Sequence, residues 1–255
     1  MRHGKFLTIA LNAAQKAESV IMKHFLKDGE LMIKEDLSPV SIADKEAENI
    51  IKSTIKDEFP EHSFLGEESG GIADVSGFLW IVDPIDGTKN YSRGLPIFAT
   101  QIALMKGGDL IVGVSNAPVL KEMVYAEKGG GTFFNKKRVN VSSINALDEA
   151  YMSFGGLKYF ERQKLVDNLL SLVRATRGHR GIGDFWSYHM LAQGKIDIMI
   201  EAETKIWDIA AVKVIVEEAG GKITDINGNV VGKDTTSIIA TNSLLHDAIQ
   251  DYFRR

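Results

Sequence analysis

The sequence predicts a mixed α/β fold in which helices are layered on β-sheets. Apolar residues recur at helical spacing near the N-terminus, and short β-type runs separated by glycine-rich turns fill the middle of the chain. After residues 140–150, helix and strand patterns alternate. The 255 residues suffice for one large domain or two small ones. We expect an N-terminal α+β part over residues 1–145 and a C-terminal α/β part over residues 146–255, packed into one compact unit.

The first part of the chain predicts two helices followed by two strands. Residues 5–27 place apolar side chains on one face of an amphipathic helix, and residues 44–59 form a second helix that Pro60 ends. Residues 63–66 are a short strand. The apolar run at residues 78–82, which an Asp-Pro pair follows, is typical of a buried strand.

The middle of the chain predicts an antiparallel meander, and the rest predicts alternating helices and strands. The meander strands are residues 98–105, 110–116, 122–127 and 131–134, continued by 138–142. Helices are predicted near 162–172, at 183–194, at 208–219 and from 244 onward, with strands at 196–201, 223–225 and 237–240. The glycine-rich segment 177–183 lacks the spacing of a nucleotide-binding loop and is predicted to be the loop before a helix.

Composition excludes several classes of function. The chain has no cysteine, which excludes disulfides, thiolate zinc sites and cysteine nucleophiles and fits a reducing cytoplasm, where we expect the protein to reside. The net charge is −4 and no basic stripe is present, so we expect no nucleic-acid partner. The N-terminal segment carries charges throughout, and no apolar run of about 18 residues follows, so we expect neither a signal peptide nor a membrane span.

Carboxylates occur at several junctions between predicted elements. Asp83 is predicted to end a strand, and Asp86 to follow in a tight turn shaped by Pro84 and Gly87. Glu67 lies at the end of another predicted strand, and Asp208 begins a predicted helix. Alone, the Asp83–Gly87 motif is equally typical of a surface turn. Glu67-Glu68 alone is more typical of a solvated pair, and Trp207-Asp208 alone is more typical of an ordinary helix cap. Together, oxygen ligands from separate elements suit hard divalent cations. The combination predicts a Mg²⁺-dependent phosphomonoesterase.

The residues after Asp86 predict a phosphate-binding turn. Gly87 and Thr88 are expected to open a helix, whose first N–H groups have no intrahelical partner and can bind a phosphate. Because the chain has no cysteine and no evident Ser-His-Asp set, direct attack by water is a simpler scheme than a covalent intermediate.

In these motifs the chain resembles the inositol monophosphatase family of Mg²⁺-dependent, lithium-sensitive phosphatases. The resemblance covers essentially the whole chain. It implies a five-layer αβαβα sandwich like that of fructose-bisphosphatase, and a homodimer, which light scattering would test. The residues that carry it are Gly66-Glu67-Glu68, Asp83-Pro-Ile-Asp-Gly-Thr88, Trp207-Asp208-Ile-Ala-Ala and Glu218-Ala-Gly-Gly221.

The resemblance also implies roles for individual residues. Asp44 would orient the Thr88 hydroxyl, and Glu67 and Thr88 would activate the attacking water. Two or three Mg²⁺ ions, with Mn²⁺ as a possible substitute, would be held by Glu67, Asp83, the Ile85 carbonyl, Asp86 and Asp208.

Two residues are expected further from the metals. Glu68 would belong to the outer part of the site and orient the inner ligands. Lys34 lies in a loop that the family pattern makes a mobile flap near a third metal, and a solvated lysine is the alternative.

The substrate side resembles the histidinol-phosphate phosphatases of this family. Inositol-specific members usually carry a small Ala-Ala pair where this chain has Asp184-Phe185-Trp186. A carboxylate and aromatic rings suit a cationic, imidazole-bearing alcohol, and Asp184 and Glu201 could each pair with one of its cationic groups. Core packing of Phe185 and Trp186 and a helix-capping role for Asp184 are the alternatives, and Glu201 also matches the family's inositol-binding glutamate.

Arg180 is a third candidate for substrate binding. It could reach the phosphate or a partner subunit's site, or be a surface charge. The leading hypothesis is hydrolysis of L-histidinol phosphate to L-histidinol and phosphate. The alternatives are an inositol-1-monophosphatase or a broad-specificity sugar and polyol phosphatase and, from another class, a non-catalytic binding protein on the same fold.

Overall fold

The first half of the chain forms two long helices and a large sheet. A computed structural model describes residues 3–25, 32–33, 39–40, 42–71 and 76–253. The elements up to residue 139 are α1 (Lys5–His24), β1 (Met32–Ile33), β2 (Pro39–Val40), α2 (Ile42–Glu58), β3 (Ser63–Gly66), β4 (Phe78–Asp86), α3 (Thr88–Tyr91), β5 (Ala99–Lys106), β6 (Asp109–Ala117), β7 (Glu122–Glu127), β8 (Gly131–Phe134) and β9 (Lys137–Val139).

The second half alternates strands and helices around a smaller sheet. After a short 3₁₀ turn, Leu147–Glu149, its elements are β10 (Tyr151–Phe154), α4 (Leu157–Arg162), α5 (Val166–Ala175), β11 (Gly178–Arg180), α6 (Asp184–Ala192), β12 (Ile198–Glu201), α7 (Ile206–Glu218), β13 (Lys222–Thr224), β14 (Ile238–Thr241) and α8 (His246–Phe253). The boundary between the two parts near residue 145 stays a prediction.

The described strands form two main sheets. β3 to β9 make a seven-stranded sheet in chain order, in which β3 and β4 are parallel and the other neighbours antiparallel. The second sheet has the order β11-β10-β12-β14-β13. β10 is parallel to β11 and β12, while β14 is antiparallel to β12 and β13. β1 and β2 pair antiparallel apart from both sheets.

Alternating side chains place helices on both faces of the large sheet. On β4, Trp80 and Val82 pack with α1 and α2, whereas Leu79 and Ile81 pack with α6 and α7. This period of two is the expected pattern for a strand buried on both faces.

The smaller sheet is covered in the same way, which completes the layers. Met199 on β12 joins the core shared with α6 and α7, and its neighbours Ile198 and Ile200 pack with α4, α5 and α8. The described residues therefore form five layers, helix–sheet–helix–sheet–helix, and the expected fold class is confirmed. Among the described helices, none has the length and apolar character needed to span a membrane.

β4 continues past its predicted end. Asp83 pairs with Gln101 on β5, and Asp86 pairs with Ala99. An interval of three residues on β4 therefore lies opposite an interval of two residues on β5. This bulge lies at Pro84, which cannot donate a ladder hydrogen bond, and a bulge turns side chains away from the regular pleat. The predicted tight turn between the two aspartates is therefore wrong, because both belong to the strand.

Three later predictions also differ from the structure. The helix predicted near 162–172 is two helices, α4 and α5, separated where Lys164 adopts a φ of 59°. The strand predicted at 138–142 ends at Val139. Residues 178–180, predicted as loop, form the edge strand β11 beside β10. An edge strand pairs on one side only, so its polar sequence lacks the apolar pattern of a central strand.

The sequence assigns no role to His189, which the structure buries completely on α6. Its Nδ1 lies 3.0 Å from a Glu122 carboxylate oxygen, and its Nε2 lies 2.7 Å from the Ser115 hydroxyl. Because a carboxylate only accepts hydrogen bonds, Nδ1 carries the proton and Nε2 accepts from Ser115. Burial lowers the pKa of His189 below its ordinary value; Glu122 opposes the shift and Lys195 adds to it.

We expect the contribution of His189 to the free energy of unfolding to fall as the pH drops below about 6.5, the ordinary pKa of histidine. The unfolded chain binds the proton first there, because the folded-state pKa of His189 is lower, so this contribution is lost by up to about 1.4 kcal/mol per pH unit. The raised pKa values of Glu201 and Asp208 act in the opposite direction, so thermal unfolding near pH 7.5 and pH 5.5 is compared between the unmodified protein and His189→Gln. The change in stability from pH 7.5 to pH 5.5 should be more favourable in His189→Gln, and an identical change in both proteins would contradict the assignment.

Candidate active site

The predicted carboxylates converge at the end of β4. Asp83 is 2 % exposed and Asp44 fully buried. The pKa of Asp83 is well above its ordinary value, first because burial removes solvation and then because Glu67, Asp86, Asp208 and Asp44 add negative charge around it. Side chains from α2, β4, α7 and the turn after β3 thus share one buried electrostatic site, as the sequence predicts.

The backbone after Asp83 forms the predicted turn into a helix. The Ile85 N–H donates to the Asp83 carboxylate over 2.9 Å, and the Thr88 hydroxyl donates to the Ile85 carbonyl over 3.0 Å. Gly87 has a φ of 88°, and a Cβ there would lie 2.8 Å from the Ile97 carbonyl oxygen. Only glycine fits this position, and α3 begins at Thr88 as predicted.

Sequence reasoning missed Glu48, which organises the turn carrying Glu67. Glu48 is 2 % exposed, and its two carboxylate oxygens accept the N–H groups of Glu68 and Ser69, each over 2.9 Å. A side chain at Gly66 would collide with this carboxylate. The sequence feature that could have identified Glu48 is its position four residues after Asp44, which places both side chains on the same, buried face of α2.

Replacing Glu48 with alanine is expected to reduce the free energy of unfolding by about 2–3 kcal/mol, because two N–H groups lose a charged acceptor. For a chain of this size that corresponds to a fall in Tm of roughly 4–10 °C. Glutamine retains one acceptor oxygen and should lose less. Calorimetry of the two variants would test the order, and an unchanged Tm for Glu48→Ala would contradict it.

The N-terminus of α6 contacts the same site. Asp184 is the first residue of the helix with a φ of 48°, and its carboxylate lies 3.4 Å from the Asn90 amide nitrogen. The Phe185 N–H donates to Asp86 over 3.1 Å. Gly183 occupies the N-cap position, so the capping interpretation of Asp184 is wrong. Burial raises the pKa of Asp184, and Lys89 and Asn90 partly offset this.

The aromatic pair after Asp184 belongs to the core rather than to a cavity wall. Phe185 is fully buried and packs with Ala99 and Ala117, and Trp186 packs against the same cluster. Of the three residues that distinguish this segment, only Asp184 lines a cavity of the site.

Glu201, which is buried, and Asp208, which is partly buried, bring two more carboxylates from the smaller sheet and α7. The Tyr188 hydroxyl donates to Glu201 over 2.6 Å, and burial together with the charge of Asp184 raises the pKa of Glu201 to about 8. Asp208 is the third residue of α7 and accepts the Lys205 N–H over 2.8 Å. Burial raises its pKa to about 6.

Two adjoining cavities connect these groups. The larger, about 580 Å³, contains Glu67, Gly87 and Thr88, and the smaller, about 140 Å³, contains Glu201 and Asp208. The residues that line both cavities are Gly155, Gly156, Tyr159 and Asp184. A phosphate held at Thr88 would therefore leave room for an attached group reaching toward the carboxylates of the smaller cavity.

Among the predicted site residues that the structure describes, those that line neither cavity are Asp44, Asp83, Ile85, Glu68 and Arg180. Arg180 is exposed; its guanidinium donates to the His179 carbonyl and lies 5.8 Å from the Tyr151 ring. Glu68 lines neither cavity, and its backbone N–H is held by Glu48. Lys34 lies outside the described residues.

The residues of this site fit a hard divalent cation by their chemistry. All the candidate metal-binding atoms are carboxylate or carbonyl oxygens, the type that Mg²⁺ binds. The carboxylates repel one another, and a bound cation would offset this repulsion. Within the described ranges, no three acidic or histidine side chains are already arranged around one metal position. Asp83, Asp86 and Asp208 instead accept backbone N–H groups.

Comparison with known proteins places the chain among phosphatases. Residues 3–255 match the model of the inositol monophosphatase family. The chain is 39% identical to a histidinol-phosphatase of Mycobacterium tuberculosis over 95% of each chain, and 37% identical to that of Streptomyces coelicolor over 98% of this chain and 97% of the relative. A fructose-1,6-bisphosphatase/inositol-1-monophosphatase of Thermotoga maritima is 36% identical over 82% of this chain and 80% of the relative.

Solved structures agree with the layer arrangement. An IMPase of Thermotoga maritima superposes with a TM-score of 0.89 at 31% identity, covering 98% of this chain and 97% of the other. A protein of Bartonella henselae described as the extragenic suppressor suhB gives 0.91 at 31% identity over 99% of each chain.

Proposed function

Because this chain belongs to the inositol monophosphatase family, we propose that it is a Mg²⁺-dependent phosphomonoesterase that hydrolyses L-histidinol phosphate to L-histidinol and phosphate. The observation that carries the substrate assignment is the pair of carboxyl groups beside the phosphate turn, the partly buried Asp184 and the buried Glu201. A cationic alcohol would pair with them and favour their ionised form, whereas a neutral polyol brings no opposite charge. The histidinol-phosphatases among its relatives support the same assignment.

The metal would be held by Glu67, Asp83, the Ile85 carbonyl, Asp86 and Asp208. When bound, Mg²⁺ supplies Lewis acidity, which offsets charge on the phosphate and lowers the pKa of water. Two or three ions fit the number of carboxylates, and Mn²⁺ would be accepted by the same oxygens.

The remaining steps are assigned to groups of the chain itself. The N–H groups of Gly87 and Thr88 hold the phosphate oxygens at the start of α3. Glu67 takes a proton from the attacking water, and the Thr88 hydroxyl positions that water. Asp44 would orient this hydroxyl once it turns from the Ile85 carbonyl, to which it donates in the structure. The water oxygen bonds to phosphorus as the ester P–O bond breaks, and the leaving alkoxide takes a proton from solvent.

A second candidate is an inositol-1-monophosphatase or a phosphatase with broad activity on sugar and polyol phosphates. Glu201 favours it, because this carboxylate could equally accept hydrogen bonds from the hydroxyls of a polyol. The Thermotoga maritima relative carries both fructose-bisphosphatase and inositol-monophosphatase names.

The deciding experiment is kcat/KM with Mg²⁺ for L-histidinol phosphate and inositol-1-phosphate, measured side by side. A preference of about 100-fold for L-histidinol phosphate, which equals about 2.7 kcal/mol of differential transition-state stabilisation, is expected. Near equality or the reverse preference would favour the second candidate instead.

We further expect Li⁺ at millimolar concentration to inhibit turnover in the presence of Mg²⁺, because a cluster of buried carboxylates also accepts small monovalent cations. K⁺ at the same concentration is the control for ionic strength. Full turnover in excess Li⁺ would contradict a weakly held additional metal.

A further inference from the structure

Tyr159 lies where the two cavities of the site meet. It is the third residue of α4 and is partly buried. Among the described aromatic residues, Phe154 lines only the larger cavity and Tyr188 only the smaller one, whereas Tyr159 lines both. A group attached to a phosphate at Thr88 and reaching toward Glu201 would therefore pass beside Tyr159 and the other residues that line both cavities, which are Gly155, Gly156 and Asp184.

The ring is held in place from several sides. Lys89 Nζ donates to the Tyr159 hydroxyl over 3.2 Å. The guanidinium of Arg162 lies 5.5 Å from the ring centroid, and Glu203 holds it through contacts of 2.7 and 2.9 Å. Lys89 comes from the N-terminal part of the chain and Arg162 from the C-terminal part, so the ring is fixed between the two halves of the site.

Two adjacent glycines provide the space that this arrangement needs. A Cβ at Gly156 would lie 3.1 Å from Cδ2 and Cε2 of Tyr159, and a Cβ at Gly155 would lie 3.0 Å from Cγ of Glu201. Gly156 has a φ of −57°, which any residue adopts. A Cβ at Gly156 would therefore require the ring to shift by a few tenths of an ångström, so glycine leaves room beside the ring and is not needed for the backbone conformation.

The chemistry of the surrounding groups indicates what the ring contacts. Asp184 and Glu201 place two carboxyl groups on one side of the passage. An aromatic ring beside carboxylates suits a planar cationic ring, which stacks on the tyrosine while its charge meets the acids.

We propose that Tyr159 is a specificity-determining residue, whose ring stacks on the aromatic ring of the leaving alcohol, and that Gly156 makes room for this ring. The inference rests on the proposed function and names a contact that selects the imidazole-bearing substrate. The proposed contact is with the leaving alcohol and not with the reacting phosphate, so we expect the effect on substrate discrimination and chiefly on KM.

The test compares kcat/KM for L-histidinol phosphate with that for glycerol 2-phosphate, which has no ring. In Tyr159→Leu, the ratio of the two values is expected to fall about tenfold, through a higher KM for L-histidinol phosphate. In Tyr159→Phe, which keeps the ring and loses the contact with Lys89, the ratio should change less than about twofold. Phe154→Leu is the matched control, because it removes an aromatic ring from the larger cavity only.

A second variant tests the role of space. Gly156→Ala should lower the ratio in the same direction without lowering Tm, because alanine accepts this backbone conformation. If Gly156 acts through the ring, the double variant Gly156→Ala/Tyr159→Leu should be no worse than Tyr159→Leu alone.

The outcomes separate this inference from the proposed function. Three results would overturn the stacking role. The first is an equal loss of kcat/KM on both substrates in Tyr159→Leu, and the second is a shift of the ratio in Phe154→Leu as large as that in Tyr159→Leu. The third is a ratio in Tyr159→Phe as low as that in Tyr159→Leu. Absence of L-histidinol phosphate turnover by the unmodified protein would overturn the proposed function and, with it, this inference.

Discussion

Replacing Asp83 with asparagine is expected to reduce turnover by about 10³-fold or more while raising the stability of the metal-free protein. Asparagine keeps the oxygen that accepts the Ile85 N–H, so the local backbone should persist. The change removes a negatively charged metal ligand, and losing one electrostatic element of a preorganised site costs on the order of 10²–10³ in rate or more.

The gain in stability has a separate cause. Asp83 is buried among Glu67, Asp86, Asp208 and Asp44, so its charge is both desolvated and repelled. Removing it should stabilise the metal-free protein by about 1–3 kcal/mol, which is roughly 2–10 °C in Tm for a chain of this length. Steady-state kinetics with Mg²⁺ and calorimetry with a chelator would measure the two effects.

Asp109→Asn is the matched control for this experiment. The Asp109 side chain is 73% exposed and forms a surface ion pair with Lys128 at 3.1 Å. Exposed pairs of this kind contribute about 1 kcal/mol at most, so both readouts should stay close to those of the unmodified protein. Full turnover by Asp83→Asn would remove Asp83 from the metal site.

Replacing Asp184 with asparagine is expected to lower kcat/KM for L-histidinol phosphate by roughly 30- to 100-fold. The estimate corresponds to about 2–3 kcal/mol for the loss of a buried charged partner. Asparagine adopts positive φ as readily as aspartate, so the φ of 48° at this position is preserved. Hydrolysis of glycerol 2-phosphate, which offers no cation to this carboxylate, should fall much less.

Asp167→Asn separates this effect from helix stability. Asp167 is exposed and lies in the first turn of α5, so its replacement removes the same favourable interaction with a helix N-terminus at a distance from the cavities. Measuring both substrates and Tm for the two variants distinguishes the contributions. Equal losses on the two substrates in Asp184→Asn would mean that this residue supports the fold of the site and does not select the substrate.

The order of most elements could be predicted from the sequence, because periodicity and turn residues act locally. The strands Ser63–Gly66, Glu122–Glu127 and Gly131–Phe134 were predicted with their observed bounds. The strand predictions that were wrong depended on pairing. The edge strand Gly178–Arg180 exists because it joins β10, and nothing in its own residues indicates a partner.

The same distinction applies to the candidate site. The sequence identified the carboxylates Asp83, Asp86, Glu67 and Asp208, because they occur in dense motifs at predicted junctions. It did not identify Glu48, whose role depends on Gly66 leaving room for its carboxylate. It also left Phe185 undecided between a cavity and the core, which only its burial against Ala99 and Ala117 resolves.

By itself, the sequence determined the layered α/β architecture, the set of acidic residues and the turn at Gly87, since each depends on residues close together in the chain. The tertiary structure alone decided which carboxylates interact electrostatically with Asp83. It also decided that Asp184 and Tyr159 line both cavities and that Arg180 lines neither. The physical reason is that desolvation and close packing arise between residues far apart in sequence, and local patterns carry no information about such contacts.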